Sequence, residues 1–235
     1  MSSHFWDRAR LTALAATTLV LCLVTAADAH GVDAGDAAFI QQASGTQIIS
    51  YAYFGAKHMI TGNDHLLFLV GVIFFLYRQR DVMSYVTLFA IGHSVTLLFG
   101  VLSGIHVNAF IIDAIIGPSV VYKGLDNLGA YRRWFGFPPN TKAAVLIFGL
   151  FHGFGLATKL QEFTLSRDGL VANILSFNVG VEVGQILTLT AILIAMGFWR
   201  RSAMFPRQAF AANALLMAGG FMLIGFQLTG YFTTT

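Results

Sequence analysis

The feature that most constrains this chain is a series of six apolar segments separated by short polar ones. The last five contain 19–29 residues each, enough for a helix to cross a hydrocarbon layer of about 30 Å at a rise of about 1.5 Å per residue. The two-residue alternation typical of membrane barrels is absent. The sequence therefore predicts an all-α, polytopic membrane protein with about six transmembrane helices, in segments 48–77, 83–103, 107–129, 142–160, 171–199 and 208–231.

Composition supports this class. Apolar residues make up 56% of the chain and charged residues only 11%, whereas soluble domains carry about 25% charged residues. This balance excludes an ordinary cytosolic enzyme, a disordered chain and a coiled coil. The single cysteine, Cys22, excludes a disulfide scaffold and a thiolate zinc site. The net charge of +3 is small and scattered along the chain, so we expect no nucleic-acid partner.

The N-terminus has the layout of a secretory signal peptide. Arg8 and Arg10 precede an apolar run that ends in the small-residue site Ala27-Asp28-Ala29. We predict a signal peptide at 1–29, a short periplasmic segment at 30–47 and a helical membrane domain at 48–235; the alternative is an uncleaved anchor. Cleavage would leave His30 first, where its side chain and the free α-amine can chelate a divalent metal.

Charges between the segments predict the orientation. With residue 30 outside, the inner loops carry eight basic residues against the single acid Asp81, and the outer loops carry two bases and two acids. By the positive-inside rule, both termini lie on the outer side of a bacterial inner membrane, with the lipid bilayer as the first partner. The inner basic residues are Arg78, Arg80, Arg132, Arg133, Lys142, Arg200, Arg201 and Arg207.

The first apolar segment is too long for one membrane helix. Its thirty positions would span about 45 Å, and the sequence Thr61-Gly62-Asn63-Asp64 interrupts them. Gly62 is suited to end one helix and Asn63 or Asp64 to cap the next. Broken helices in membranes are typical of ion and substrate sites. The alternative is a re-entrant or interfacial helix that binds nothing.

Ionisable side chains inside the predicted spans are unusually frequent. Each costs roughly 2.5–3.5 kcal/mol at the centre of a membrane helix, so this many require a shared polar interior. Estimated depths place the imidazoles near the midplane and Asp113 and Glu182 farther out, which predicts a vestibule that opens outward. We predict one metal site whose ligands are His58, Asp64, His65, His93, His152 and Glu182.

Other polar residues have secondary or structural readings. Lys123 and Asp126, three residues apart, are expected to form a buried ion pair, the alternative being a role in ion passage. Asn178 and Gln185 share a helix face with Glu182 and form either part of the site or a polar packing seam. Imidazole and carboxylate ligands without a thiolate suit Ni²⁺, Co²⁺ or Zn²⁺.

Several motifs resemble the HupE/UreJ family of membrane proteins. His58-x5-Asp64-His65-Leu66-Leu67-Phe68 resembles its first-helix signature, and Phe151-His152-Gly153 resembles the start of its second. The segments 92–97 and 178–185 look like a second branch of that family, related to nickel and cobalt permeases. The permease motif continues with a further His and a Glu, which Phe154–Thr158 does not supply; Glu182 is the candidate replacement. The resemblance implies nickel or cobalt uptake and partners that mature metalloenzymes.

These observations favour a divalent-cation permease of the nickel/cobalt type over an enzyme. Two alternatives remain open. His, Asp and Glu side chains in a helical bundle could hold a catalytic Zn²⁺ in an intramembrane hydrolase. The chain could also be a membrane accessory subunit that binds metal without transporting it. No phosphate-binding loop of the form G-x-x-x-x-G-K-[ST] is present, so any drive for transport would come from the membrane potential or from a separate partner.

Overall fold

The computed structural model describes residue 39 and the ranges 44–161 and 168–234; the predicted signal peptide and His30 lie outside these residues. From residue 44 onward, the described residues form eight helices and no strand, which confirms the all-α class. The helices are α1 (Ile48–Thr61), α2 (Asn63–Ile73), α3 (Gln79–Ser103), α4 (Ala109–Asn127), α5 (Ala130–Phe135), α6 (Thr141–Leu160), α7 (Leu170–Arg200) and α8 (Phe205–Thr234).

Four of these helices are long and apolar enough to cross a membrane: α3, α6, α7 and α8. Within the described part of the chain, no other helix meets both requirements. Helix α4 has 19 residues but carries Asp113, Lys123 and Asp126. The first apolar segment is split into α1, with 14 residues, and α2, with 11. Helix α2 is therefore about 16 Å long and cannot span a bilayer alone.

The predicted break in the first apolar segment is confirmed. Helix α1 ends at Thr61, and Gly62 has an extended conformation with φ −70° and ψ 106° before α2 begins. The Gly62 N–H donates to the His58 carbonyl and the Gly62 carbonyl accepts from the Leu66 N–H, both at 3.0 Å. Gly62 itself occupies the N-cap position of α2, so the predicted N-cap position at Asn63 or Asp64 is wrong.

The helices pack most closely in three pairs: α1 with α7, α3 with α6, and α4 with α8. Small residues allow this approach, as is typical inside membranes. A Cβ on Gly117 would lie 2.8 Å from the Gly220 carbonyl oxygen, and one on Gly153 would strike the His93 carbonyl. The α3–α6 contact therefore fixes the two histidine-bearing helices at close range.

Helix α2 lies among the three pairs, and its C-terminal end is held by polar groups from two other helices. The Arg200 guanidinium of α7 donates to the carbonyls of Leu76 at 3.0 Å and Phe74 at 2.8 Å, and also to that of Ile73. The Asn127 side-chain amide of α4 donates to the Gly71 carbonyl at 2.9 Å. These bonds satisfy carbonyls that a helix C-terminus leaves without intrahelical partners.

The loop between α4 and α6 contains the short helix α5, which the sequence analysis did not predict. Trp134, Phe135 and Phe137 are exposed there beside Arg132 and Arg133. Aromatic rings next to basic side chains are typical of the membrane–water interface. The loop therefore has the composition of a segment that lies at a membrane surface.

Candidate metal centre

Five metal-ligating side chains from four helices converge where α1 meets α2. They are His58 of α1, Asp64 and His65 of α2, His93 of α3 and His152 of α6. The His65 ring is central: its centroid lies 5.0 Å from that of His58, 5.1 Å from that of His152 and 6.3 Å from that of His93. All but the half-buried His58 are at most 2% exposed.

These side chains form two sets of three donor atoms. One set is His58, His65 and His93; the other is Asp64, His65 and His152. Within each set the ligand atoms all lie within 4.8 Å of one another. Metal–ligand bonds in such sites are about 2.0–2.2 Å long, so small side-chain shifts bring each set around one divalent ion. His65 belongs to both sets.

The start of α2 organises the first part of this centre. Asp64 lies in the first turn, where the positive end of the helix dipole stabilises a carboxylate. Its Oδ1 accepts a hydrogen bond from His65 Nδ1 at 3.0 Å. Because a carboxylate only accepts, His65 carries its proton on Nδ1 and presents the lone pair of Nε2. A carboxylate behind a histidine in this way orients the ring and raises its basicity as a metal ligand.

His152 is oriented by its own helix. Its Nδ1 donates to the Phe148 carbonyl, one turn earlier in α6, at 2.7 Å. A backbone carbonyl only accepts, so Nε2 again presents a lone pair, and it lies 3.7 Å from Asp64 Oδ2. Two acceptor atoms at this separation can share a cation, whereas they repel each other without a proton or an ion between them.

His93 lies fully buried at the centre of α3. Neither of its ring nitrogens has a hydrogen-bond partner among the described residues, and its ring stacks on Phe89 with centroids 6.1 Å apart. A buried polar group without a partner is costly. Packing among the described residues therefore does not explain why the two ring nitrogens of His93 are buried.

Aromatic side chains enclose the centre. Phe89 contacts His152 and His65 with centroid distances of 5.0 and 6.2 Å, and Phe68 contacts His152 at 5.7 Å. These phenylalanines are 1% exposed. Electrostatic interactions are strong in such apolar surroundings. Nitrogen and carboxylate donors fit a borderline divalent cation such as Ni²⁺, Co²⁺ or Zn²⁺.

The structure does not bring the two outer acids into this centre. Glu182 is exposed on α7 and belongs to neither donor set. Asp113 forms an ion pair with Lys159 of α6, in which Lys159 Nζ lies 2.5 Å from Asp113 Oδ2. The predicted outward vestibule lined by Asp113 and Glu182 is therefore not found among the described residues, because Lys159 neutralises Asp113 and Glu182 lies at an exposed edge of α7.

The secondary residues have mixed outcomes. The predicted Lys123–Asp126 ion pair is confirmed at 2.7 Å, and Thr141 also donates to Asp126 at 3.1 Å. Asn178 and Gln185 of α7 are buried. The two glycines between them pack against the α1 backbone at Ala52 and Ala56, so α7 does form a packing seam with α1, at Gly180 and Gly184.

Some functional contacts were not anticipated from the sequence. Lys159 was counted as an outer-loop charge, yet it lies in the last turn of α6 and neutralises Asp113 of α4. Arg200 was counted as a topology marker, yet it holds the end of α2. The backbone carbonyl of Phe148, which orients His152, leaves no signal in an amino-acid sequence.

Fold and site together define a helical membrane protein with a buried histidine and carboxylate centre suited to divalent metal ions. The family described as HupE / UreJ protein matches residues 34–235. The chain therefore belongs to the HupE/UreJ family, which is associated with nickel and cobalt uptake. No curated protein and no solved structure matches the chain.

Proposed function

We propose that the protein is a permease for a divalent cation of the nickel/cobalt type in the bacterial inner membrane. In this proposal α1 and α2 together form the first membrane segment and α4 the third, which gives six segments with both termini outside. The cation is the transported substrate. It enters from the periplasm and is held by the side chains that meet around His65.

The observation that carries this proposal is the convergence of four imidazoles and one carboxylate inside a bundle of apolar helices. Removing such groups from water is costly, and a core that served only to pack apolar side chains would not contain them. Donor atoms from α1, α2, α3 and α6 lie within 4.8 Å of one another in two sets. A binding site for a cation that must leave water accounts for all five residues together.

The centre's own residues supply capture and selectivity. Asp64 offers the negative charge that compensates a dication, and it also holds the His65 ring through Nδ1. His152 is locked by the Phe148 carbonyl, so its Nε2 stays directed at the centre. The membrane potential supplies a drive of about 2.3 kcal/mol per charge per 100 mV, or about twice that for a dication.

The decisive experiment measures radiolabelled nickel, cobalt and zinc uptake together with the metal content of the purified protein. His65→Ala, His93→Ala and His152→Ala should each reduce binding and uptake, by about 10-fold or more, because each removes a ligand. His106→Ala is the matched control, since this histidine lies on an exposed loop, and it should behave as wild type.

Two outcomes would contradict the proposal in different ways. If the wild type binds no metal, or every histidine variant binds as wild type does, the buried residues form a structural polar core. If proteoliposomes bind the metal at the centre but show no flux, the protein is a metal-binding subunit or an intramembrane zinc hydrolase. An assay of lipid hydrolysis in the same vesicles separates these last two.

The six-segment topology has its own test. Reporter fusions at residues 80, 135 and 203 should report a cytoplasmic location, and fusions at residues 165 and 235 a periplasmic one. The expectation follows from the basic residues around the inner loops. A cytoplasmic signal at residue 165 or 235 would overturn the arrangement without affecting the metal centre.

A further inference from the structure

A second group of polar side chains lies on α7, outside the histidine centre. Gln185 is 0% exposed, and neither its amide oxygen nor its amide nitrogen has a hydrogen-bond partner among the described residues. Asn178, two turns earlier on the same face, is 6% exposed and has the same lack of partners in the part of the chain described. Packing within the described structure does not explain why these two amides are buried.

Glu182 lies between them in sequence and at the exposed edge of the same face. Its position is about 18 Å from the start of α7, far inside a helix that is long and apolar enough to cross a membrane. A carboxylate there is costly unless it faces a cavity or a charge of opposite sign. Its neighbours Val179, Val183 and Ile186 are apolar and exposed.

A groove between α3 and α7 brings these groups together. It has a volume of about 150 Å³, and both Glu182 and the buried Gln185 line it. Thr87 of α3 adds a hydroxyl group. Among the described residues, no basic side chain lines the groove, whose other residues are Met83, Val86, Ala90, Ile91 and Ile186.

We infer that this groove is a second binding position for a divalent cation, with Glu182, Gln185 and Thr87 as oxygen donors. A carboxylate, an amide oxygen and a hydroxyl group bind a cation that keeps several of its waters. A cation at this position supplies a charge opposite to that of Glu182 and the partner that Gln185 lacks among the described residues. It is weaker than the centre around His65, because it offers no imidazole.

Its place in the fold connects it to the histidine centre. Ala90 of the groove is one helical turn from His93 toward the Gln79 end of α3, which is the cytoplasmic end in the proposed topology. Glu182 therefore lies on the cytoplasmic side of His93, and the estimated depth that placed it farther out than the imidazoles is wrong. The groove is therefore a position that the cation occupies after it leaves the histidines. This inference rests on the proposed function, since it describes a later step of the same passage.

The experiment counts bound Co²⁺ per chain by equilibrium dialysis in detergent, without any other ligand. Wild type should bind two ions, one tightly and one more weakly. Glu182→Gln and Gln185→Leu should weaken the second ion at least 10-fold and leave the Kd of the first within twofold. His65→Ala should weaken binding of the first ion at least 10-fold and leave the Kd of the second within twofold. Gln227→Leu, which changes a buried glutamine of α8, should leave both ions bound.

Folding does not obscure this test. Glu182→Gln preserves shape at an exposed position, and Gln185→Leu replaces an amide without described partners by an apolar group, which a folded core tolerates. One ion in wild type, lost in His65→Ala and retained in both groove variants, would overturn the inference while the proposed function stands. Two ions that neither groove variant affects would also overturn it. No bound ion at all would overturn both.

Discussion

Gly62 should be intolerant of even a methyl group, although its backbone conformation suits any residue. With φ −70° and ψ 106°, Gly62→Ala introduces no backbone strain. Because alanine lowers the conformational entropy of the unfolded chain, such a change by itself stabilises a protein by about 0.4–1 kcal/mol. The added Cβ, however, would lie 2.7 Å from His65 Nδ1 and 3.2 Å from Asp64 Oδ1. It would also lie 3.0 Å from the His58 carbonyl oxygen, so the substitution crowds both the side chains of the centre and the backbone at the end of α1.

The size of the effect follows from these distances. Ordinary contact begins near 3.4 Å, so the His65 ring must withdraw by about 0.7 Å. Its hydrogen bond to Asp64, now 3.0 Å, then reaches up to about 3.7 Å, beyond the hydrogen-bonding range of about 2.7–3.2 Å. Loss of such a supporting bond typically lowers metal affinity by about 10–100-fold, or about 1.4–2.8 kcal/mol.

The assay is a cobalt titration of purified Gly62→Ala, paired with thermal unfolding of the metal-free protein. We expect the 10–100-fold loss of affinity with little change in Tm, because the gain from the unfolded chain offsets part of the clash. Gly225→Ala is the matched control, since beyond its own helix backbone no described atom lies within 4 Å of the position of its Cβ. Wild-type affinity in Gly62→Ala would refute the idea that the Asp64–His65 contact holds the ring for the metal.

Three further predictions follow from described contacts. Lys159→Met leaves Asp113 buried without its charge partner and should lower the free energy of unfolding by about 3–5 kcal/mol. The double variant Lys159→Met, Asp113→Leu should recover most of this loss. If denaturant titrations show no recovery, the ion pair does not stabilise the fold in this way. Arg200→Ala removes the donor to three carbonyls at the end of α2 and should lower the free energy of unfolding by about 1.5–3 kcal/mol. Arg200→Lys should have intermediate stability, because one ammonium group cannot reproduce the planar guanidinium. Equal Tm values for wild type and both variants would contradict this prediction. Metal affinity should fall at acidic pH, because a protonated imidazole cannot bind a metal; a Kd that does not change as the pH is lowered would contradict histidine ligands.

Apolar segment length was the most reliable guide to the fold. The helix that begins at residue 170 was predicted at 171, and the one that begins at residue 141 was predicted at 142. The broken first segment was also predictable, because thirty apolar positions exceed one membrane crossing and Gly62 interrupts them. Helix α5, with six residues, is too short to produce a periodic pattern.

The centre was only partly predictable for a geometric reason. The free-energy cost of polar side chains inside a membrane indicated that His65, His93 and His152 lie together in the interior of the helix bundle, and the structure places them together. Helical periodicity placed Glu182 on the same face as Asn178, but periodicity gives relative faces and not which edge of a face is buried. The Asp113–Lys159 pair joins residues 46 positions apart, and no local pattern indicates such a pairing.

His65 is shared by the two donor sets, and this limits how the centre can be loaded. A neutral imidazole has a single lone pair, so the set with His58 and His93 and the set with Asp64 and His152 exclude each other. In the proposed permease, the centre would accordingly hold one ion at a time, in either of two coordination isomers. An ion could pass from one isomer to the other by exchanging two ligands while His65 stays bound. The activation barrier for passage would then be that of stepwise ligand exchange and not that of complete release into an apolar interior, so fast transport would be compatible with tight binding.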